Sequence, residues 1–310
     1  MKIGVLEPEH FLESNIKCIE EKIGKVYLYD GLTNLKDFIK DKDVIFIRLK
    51  YNINKDILKD TQKLKIICSP TTGLNHLDLN YITTKKIRLI SLKGKTKFLN
   101  QIRATPENTI GLSLALLRKY NLFFCNNVSK NKRYQHLGDE LFGMKIGIIG
   151  YGRVGKLISK YLKAFGSKIN IYDIKKVNPL KGIILKENLK ELINCSDLIF
   201  LTASFNGEKI LKKEHLDLMK NKYLINTSRG ELIDEPYLLK KVSGNHFKGV
   251  AIDVLSNENN LSINNLKVIE KLRTKANFIY TPHISGATLN SLSKVETYIT
   301  KELIKKYLDK

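Results

Sequence analysis

Short apolar runs of four to six residues, each bounded by polar or charged positions, recur along the chain. They alternate with stretches whose apolar residues fall at helical spacing. Near the N-terminus, the runs at 2–6, 25–29, 43–48, 64–69 and 87–91 predict five strands with helices between them. A second series predicts six more, at 145–149, 168–172, 197–201, 222–226, 249–252 and 277–280. Strands joined by helical crossovers pair in parallel, so the pattern predicts α/β architecture with two parallel sheets.

Between the two series, Thr105-Pro106-Glu107 reads as a helix start, with Thr105 as N-cap, proline at the first helical position and an acid in the first turn. The helix is predicted to run to about Leu122 and carries Ile110, Leu112, Leu114, Ala115, Leu116 and Leu117 around most of its circumference. A helix apolar on nearly every face must be buried on nearly every face, in a core or at a domain or subunit boundary. The tail from Thr288 is also predicted to be helical and to pack on the N-terminal domain.

Composition narrows the class. The 310 residues suffice for two domains, and 43% hydrophobic with 27% charged residues describes a globular chain. No apolar run reaches the roughly 20 residues of a membrane span, and residues 1–6 turn polar too soon for a signal peptide. A cytoplasmic location is the expectation. Cys18, Cys68, Cys125 and Cys195 lie 50 or more residues apart, which suits reduced thiols and gives neither metal-ligand spacing nor a disulfide framework. The formal charge of +23 comes from 46 lysines and eight arginines spread along the chain. Without basic blocks or an arginine cluster this reads as a diffuse field that attracts small anions, so neither nucleic acid nor membrane is expected as a partner.

Chemistry enters at Gly150-x-Gly152-x-x-Gly155, with Arg153 and Val154 inside it. A predicted strand leads in, and a helix with Val154, Leu157, Ile158, Tyr161, Leu162 and Phe165 at helical spacing leads out. The first glycine permits the tight turn, the second lets backbone approach a pyrophosphate, and the third lets helix and strand pack closely. Asp173, 23 residues after Gly150, can accept hydrogen bonds from the adenosine ribose and would repel a 2′-phosphate. That favours NAD over NADP, with Lys175 and Lys176 softening the preference. Ligands of such a sheet gather beyond its carboxyl ends. There stand Thr202, Ala203 and Ser204, then Asn226 to Gly230, then Asp253 and Glu258, then Thr281, Pro282 and His283.

These segments resemble the D-isomer-specific 2-hydroxyacid dehydrogenases. The likeness rests on Asn226-Thr227-Ser228-Arg229-Gly230-Glu231-Leu232-Ile233-Asp234 and Thr281-Pro282-His283-Ile284-Ser285-Gly286-Ala287-Thr288, and extends to Ser69-Pro70-Thr71-Thr72-Gly73-Leu74-Asn75-His76-Leu77-Asp78 and Ala251-Ile252-Asp253-Val254-Leu255-Ser256-Asn257-Glu258. Ile47-Arg48-Leu49-Lys50 most resembles the phosphoglycerate dehydrogenase branch, without its C-terminal regulatory domain. The resemblance implies two doubly wound parallel-sheet domains: a Rossmann NAD-binding domain at 104–287 inserted into a flavodoxin-like substrate domain at 1–103 and 288–310, and a homodimer.

It further implies that Arg229 holds the substrate carboxylate, that His283 is the acid/base, and that Glu258 pairs with it and favours the protonated imidazole. Thr72 and Gly73 would offer backbone donors to substrate, Arg48 would contact a substrate anion, and Asp253, Ser228 and Gly286 would lie near the cofactor. The expected reaction moves a hydride between NAD and a small D-2-hydroxy or 2-keto acid. The alternative is a redox-sensing co-regulator that binds NAD and partners without turnover. Two departures from the family pattern stand out: no proline follows Glu258, where Asn259-Asn260 come next, and Ser204-Phe205 replaces Pro-Leu. His10, His76, His136, His215 and His246 are expected to be surface or structural.

Overall fold

The structure, a computed structural model, describes residues 1–124, 137–258 and 262–308. Cys125, His136, Asn259 and Asn260 lie outside the described residues. The chain divides into two compact units, Met1–Ile102 with Ala287–Lys310, and Arg103–Gly286.

In the first unit, strands β1 (Ile3–Val5), β2 (Val26–Leu28), β3 (Val44–Phe46), β4 (Ile66–Ser69) and β5 (Arg88–Ser91) form a parallel sheet in the order β2-β1-β3-β4-β5. The central strands read as unbroken apolar runs because both faces are covered. Val44 and Phe46 face one core cluster with Ile3 and Val5, while Ile45 and Ile47 face the other with Leu6 and Ile67. The tail helix Leu289–Leu308 supplies Val295, Ile299 and Leu303 to the first of these clusters. Their spacing of four puts them on one helix face. Ile299 is fully buried, and truncating it to alanine would cost about 2–5 kcal/mol.

In the second unit, β6 (Lys145–Ile149), β7 (Lys168–Tyr172), β8 (Ile183–Leu185), β9 (Leu198–Leu201), β10 (Tyr223–Asn226), β11 (Gly249–Ile252) and β12 (Phe278–Tyr280) form a parallel sheet. Their order is β12-β11-β10-β9-β6-β7-β8. Strand order reverses between β6 and β9, so the loops after these two strands flank the switch point. The sequence pattern predicts six strands here and omits β8. That strand is three residues long, has one neighbour, and leaves Ile184 and Leu185 exposed. Its apolar run is too short to register as a periodic signal.

The helix expected from Thr105 to Leu122 is corrected at both ends. It spans Ala104–Leu117 with Arg103 as N-cap and no side-chain cap. Pro106 still sits in the first turn, where a missing N–H costs no intrahelical bond. The chain then turns through Lys119 at φ +56° before a short helix, Tyr120–Phe124. Ile110, Leu112, Leu116 and Leu117 are buried against the second unit's own sheet and the helix Arg153–Ala164. The helix's apolar circumference is thus accounted for within that unit. Among the described residues, no helix is long and apolar enough to cross a membrane.

Candidate active site

Strand β6 delivers the chain to Gly150 at φ +92°, where a Cβ would lie 2.6 Å from the Cα of Ala203. The first glycine therefore both makes the turn and lets the loop after β9 close against it. At Gly155 a Cβ would meet the Gly150 carbonyl oxygen at 2.3 Å, so the third glycine brings helix and strand together. Gly152 differs: a Cβ there would meet nothing within 4 Å. It is the N-cap of the helix Arg153–Ala164 and supplies no side-chain cap. The helix start thus offers backbone N–H groups and the positive end of its dipole to an anion.

Neighbouring side chains hold this loop. The Thr202 hydroxyl donates to the Gly150 carbonyl at 2.6 Å, so it braces the turn from β9. Asp173, at the end of β7, accepts the N–H groups of Tyr151 at 2.7 Å and Lys175 at 2.8 Å. Its carboxylate is fixed in place and keeps lone pairs for hydroxyl donors. Arg153 and Val154 are half-buried in the first helical turn, and Ser204 is exposed. Burial, then Arg103, lowers the pKa of the Arg153 guanidinium. Open space over Gly152, an uncapped helix start and an anchored acid at Asp173 together fit a dinucleotide.

The catalytic candidates come from the ends of β10, β11 and β12. Asn226 is buried; its amide donates to the Arg229 carbonyl at 2.9 Å and its oxygen accepts the Ser228 N–H at 3.0 Å. The Ser228 hydroxyl lies 3.0 Å from the Leu201 carbonyl, which ties the turn to β9. Arg229 donates to the Ser228 carbonyl at 2.6 Å. Burial lowers its pKa, while Glu258 and Glu231 raise it, so both acids are near enough to act on its charge. At Gly230 a Cβ would lie 2.0 Å from the Leu255 carbonyl carbon, so this turn packs directly on the loop that carries Glu258.

Asp253 organises the histidine loop. Fully buried, it accepts the Thr281 hydroxyl at 2.5 Å, the Ile284 N–H at 3.0 Å and the Ser285 N–H at 2.9 Å. Its own carbonyl accepts the His283 N–H at 2.7 Å. These bonds hold His283 at φ +54°, a left-handed conformation that costs a non-glycine residue of order 1–3 kcal/mol. The imidazole Nδ1 lies 2.6 Å from Glu258 Oε2, while Glu258 Oε1 accepts the Leu255 N–H at 2.9 Å. A carboxylate partner keeps the proton on Nδ1 and leaves Nε2 as the nitrogen that can exchange one with a ligand. Gly286 lies beside Thr105, and Asn108 donates to the Ser285 hydroxyl at 2.7 Å.

Glu235 escaped sequence reasoning. It is buried, and its carboxylate accepts the Ser256 N–H at 2.5 Å, which pins the loop leading to Glu258. Burial pushes its pKa up, and that hydrogen bond pulls it down. Its only sequence signal, an acid in the first turn of a helix after Asp234, points to helix capping instead.

In the first unit, Arg48 has partners other than a ligand. Its Nη2 donates to the carbonyls of Glu7 at 2.6 Å and Glu9 at 2.7 Å, and its Nη1 donates to Glu296 at 3.2 Å. The expected contact with a substrate anion meets a guanidinium already engaged, because two acids and two carbonyls converge on it. Thr72 is exposed and Gly73 half-buried. Their loop is braced by the Thr71 hydroxyl, which donates to the Gly73 carbonyl at 2.8 Å, and by Ser69, which touches Thr71 and His76. His76 is buried, in keeping with a structural role.

Two family models match the chain: the D-isomer specific 2-hydroxyacid dehydrogenase NAD-binding domain over residues 110–285, and the catalytic domain of the same family over 6–97. D-3-phosphoglycerate dehydrogenase of Methanocaldococcus jannaschii is 32% identical over 99% of this chain, which spans 57% of that relative's length. Among solved structures, D-lactate dehydrogenase of Aquifex aeolicus with NAD and lactic acid aligns over 100% of this chain and 96% of its own, with TM-score 0.81 and 24% identity. NAD-dependent formate dehydrogenase of Staphylococcus aureus with NAD aligns over 99% and 96%, with TM-score 0.83 and 23% identity. At these identities the two structures establish the fold alone.

Proposed function

The chain belongs to the D-isomer-specific 2-hydroxyacid dehydrogenase family, and on that premise we propose that it transfers a hydride between NAD and a small D-2-hydroxy or 2-keto acid. The observation that carries the reading is the contact between His283 Nδ1 and Glu258 Oε2 at 2.6 Å, with Glu258 on a loop packed against the turn that presents Arg229.

In the reducing direction, Arg229 holds the substrate carboxylate and polarises the keto oxygen. His283 donates the proton from Nε2 to that oxygen as hydride reaches the carbon, and Glu258 stabilises the imidazolium before transfer. In the oxidising direction His283 takes the proton back. The cofactor supplies or accepts the hydride. Gly150, Gly152, Arg153, Val154 and Gly155 would hold its pyrophosphate, and Asp173 its adenosine ribose. Thr202, Ala203, Ser204, Ser228 and Gly286 would stand around the rest, while Asp253, fully buried, would act through the histidine loop that it holds. Thr72 and Gly73 would give substrate backbone donors. Asp173 favours NAD because a 2′-phosphate would sit against its carboxylate.

The co-regulator alternative draws no support from the relatives above. A homodimer belongs to the proposal, and sedimentation equilibrium checks it. The direct test is a panel of 2-keto acids with NADH and NADPH side by side. Turnover with NADH that His283→Ala abolishes supports the reading; binding of NADH without turnover of any keto acid would sink it.

A further inference from the structure

The carboxyl edge of the first unit's sheet carries a cluster of buried charges. β1 and β3 are neighbours although β2 lies between them in the chain. The loops after them therefore flank the switch point, where an open parallel sheet receives ligands. Glu7 follows β1, and Arg48 follows β3.

Arg48 is not a spare cation there. Beyond its two carbonyls and Glu296, its Nε lies 3.6 Å from Glu7 Oε2. Glu7 is held in turn: its Oε1 accepts the N–H groups of Arg48 at 2.7 Å and Lys50 at 3.3 Å. The side chains of Arg48, Glu7 and Glu296 are 16%, 10% and 1% exposed, so two carboxylates and one guanidinium share a largely desolvated space. Glu296 Oε2 is buried with no hydrogen-bond partner. The cavity that these three residues line with Phe11, Phe46 and Pro70 measures about 10 Å³, the room of one water molecule.

A phosphate group needs paired N–H donors and a positive field. Here three of the five N–H donors of Arg48 are taken, both on Nη2 by carbonyls, and the nearest charges are negative. Burial pushes the Glu296 carboxyl up to about 7, with Arg48 opposing and Glu7 adding to the rise. The first unit's other arginine, Arg88, opens β5 at the opposite edge of the sheet.

We infer that the substrate is a 2-keto or 2-hydroxy acid without a phosphate group, and that Glu296 is a specificity-determining residue that withholds Arg48 from anions. This rests on the dehydrogenase reading above. The test compares kcat/KM for hydroxypyruvate and phosphohydroxypyruvate in the wild type, Glu296→Ala and Glu296→Gln, alongside 31P NMR titration of each protein with 3-phosphoglycerate. The wild type should prefer the unphosphorylated acid by about tenfold or more, and both variants should narrow that ratio through a lower KM for phosphohydroxypyruvate. Wild-type preference for phosphohydroxypyruvate, or 3-phosphoglycerate binding tighter than about 1 mM, overturns the inference and leaves the dehydrogenase reading intact. An unchanged ratio in both variants overturns the role of Glu296. If no keto acid is turned over, the dehydrogenase reading fails; the titration then decides alone, weak wild-type binding that tightens in the variants supporting the inference.

Discussion

The buried carboxylate of Asp253 accepts the N–H of Ser285 at 2.9 Å, and with its bonds to Thr281 and Ile284 it sets the backbone on which His283 stands. Asp253→Asn keeps the shape but turns an amide N–H₂ toward donors, so at least one buried bond becomes a clash of donors. The expected cost is about 1–3 kcal/mol of stability with a fall in kcat, because His283 loses its left-handed backbone support. Urea denaturation and steady-state kinetics on the same preparation check this; wild-type values in both would contradict the assigned role.

The acid/base pair and the carboxylate clamp should separate kinetically. His283→Ala should lower kcat by about 10²–10⁴-fold. Glu258→Gln, which retains an acceptor for the Leu255 N–H but not the charge beside Nδ1, should fall between that variant and wild type. Arg229→Ala should raise KM for the keto acid and lower kcat together, since the lost group both binds the ligand's carboxylate and polarises its keto oxygen. Equal effects on KM and kcat in all three variants would undo this division.

Gly155 and Gly152 predict opposite outcomes from the same substitution. Gly155→Ala forces a Cβ to within 2.3 Å of the Gly150 carbonyl oxygen and should destabilise the protein by about 1–3 kcal/mol. Gly152→Ala places its methyl in open space, so stability should stay within about 0.5 kcal/mol while NADH binding weakens, because the methyl occupies ground a pyrophosphate would approach. Thermal denaturation with and without NADH distinguishes the two, and unaltered NADH affinity in Gly152→Ala would remove the pyrophosphate from this loop.

Glu296 gives the fold a pH dependence. Its carboxyl is raised from an ordinary 4.5 to about 7 by burial, so the native state binds the proton more tightly than the unfolded chain does. The stabilising contribution is complete below about pH 4.5 and is lost as the pH rises through about 7. Glu296→Gln should flatten the fall in urea midpoint between these limits; a wild-type pH profile in that variant would show that other groups govern it.

Much of the site was legible in the residues themselves. Gly150, Gly152 and Gly155 stand out because backbone turns and close approaches demand glycine in any context, and Arg229, Glu258 and His283 because they follow apolar runs that end at one sheet edge. Asp253 was legible as a residue but not in what it does, since three donors from the loop 281–285 reach it across 28 to 32 positions of chain. Glu235 and the strand β8 left no usable pattern, the first masked by an ordinary helix start and the second too short for periodicity. At Arg48 the residues alone allowed a ligand contact, since nothing local reveals that Glu296, 248 residues away, is packed against it.

The sequence by itself determined the two parallel sheets and the dinucleotide loop, because strand period, helix period and glycine's freedom are local properties of the chain. Tertiary structure alone decided which charges meet: Asp253 with the histidine loop, Glu235 with Ser256, and Glu296 with Arg48. Such pairings depend on distances between elements remote in sequence, and in a buried setting those distances decide whether a charged group binds a ligand or holds the fold.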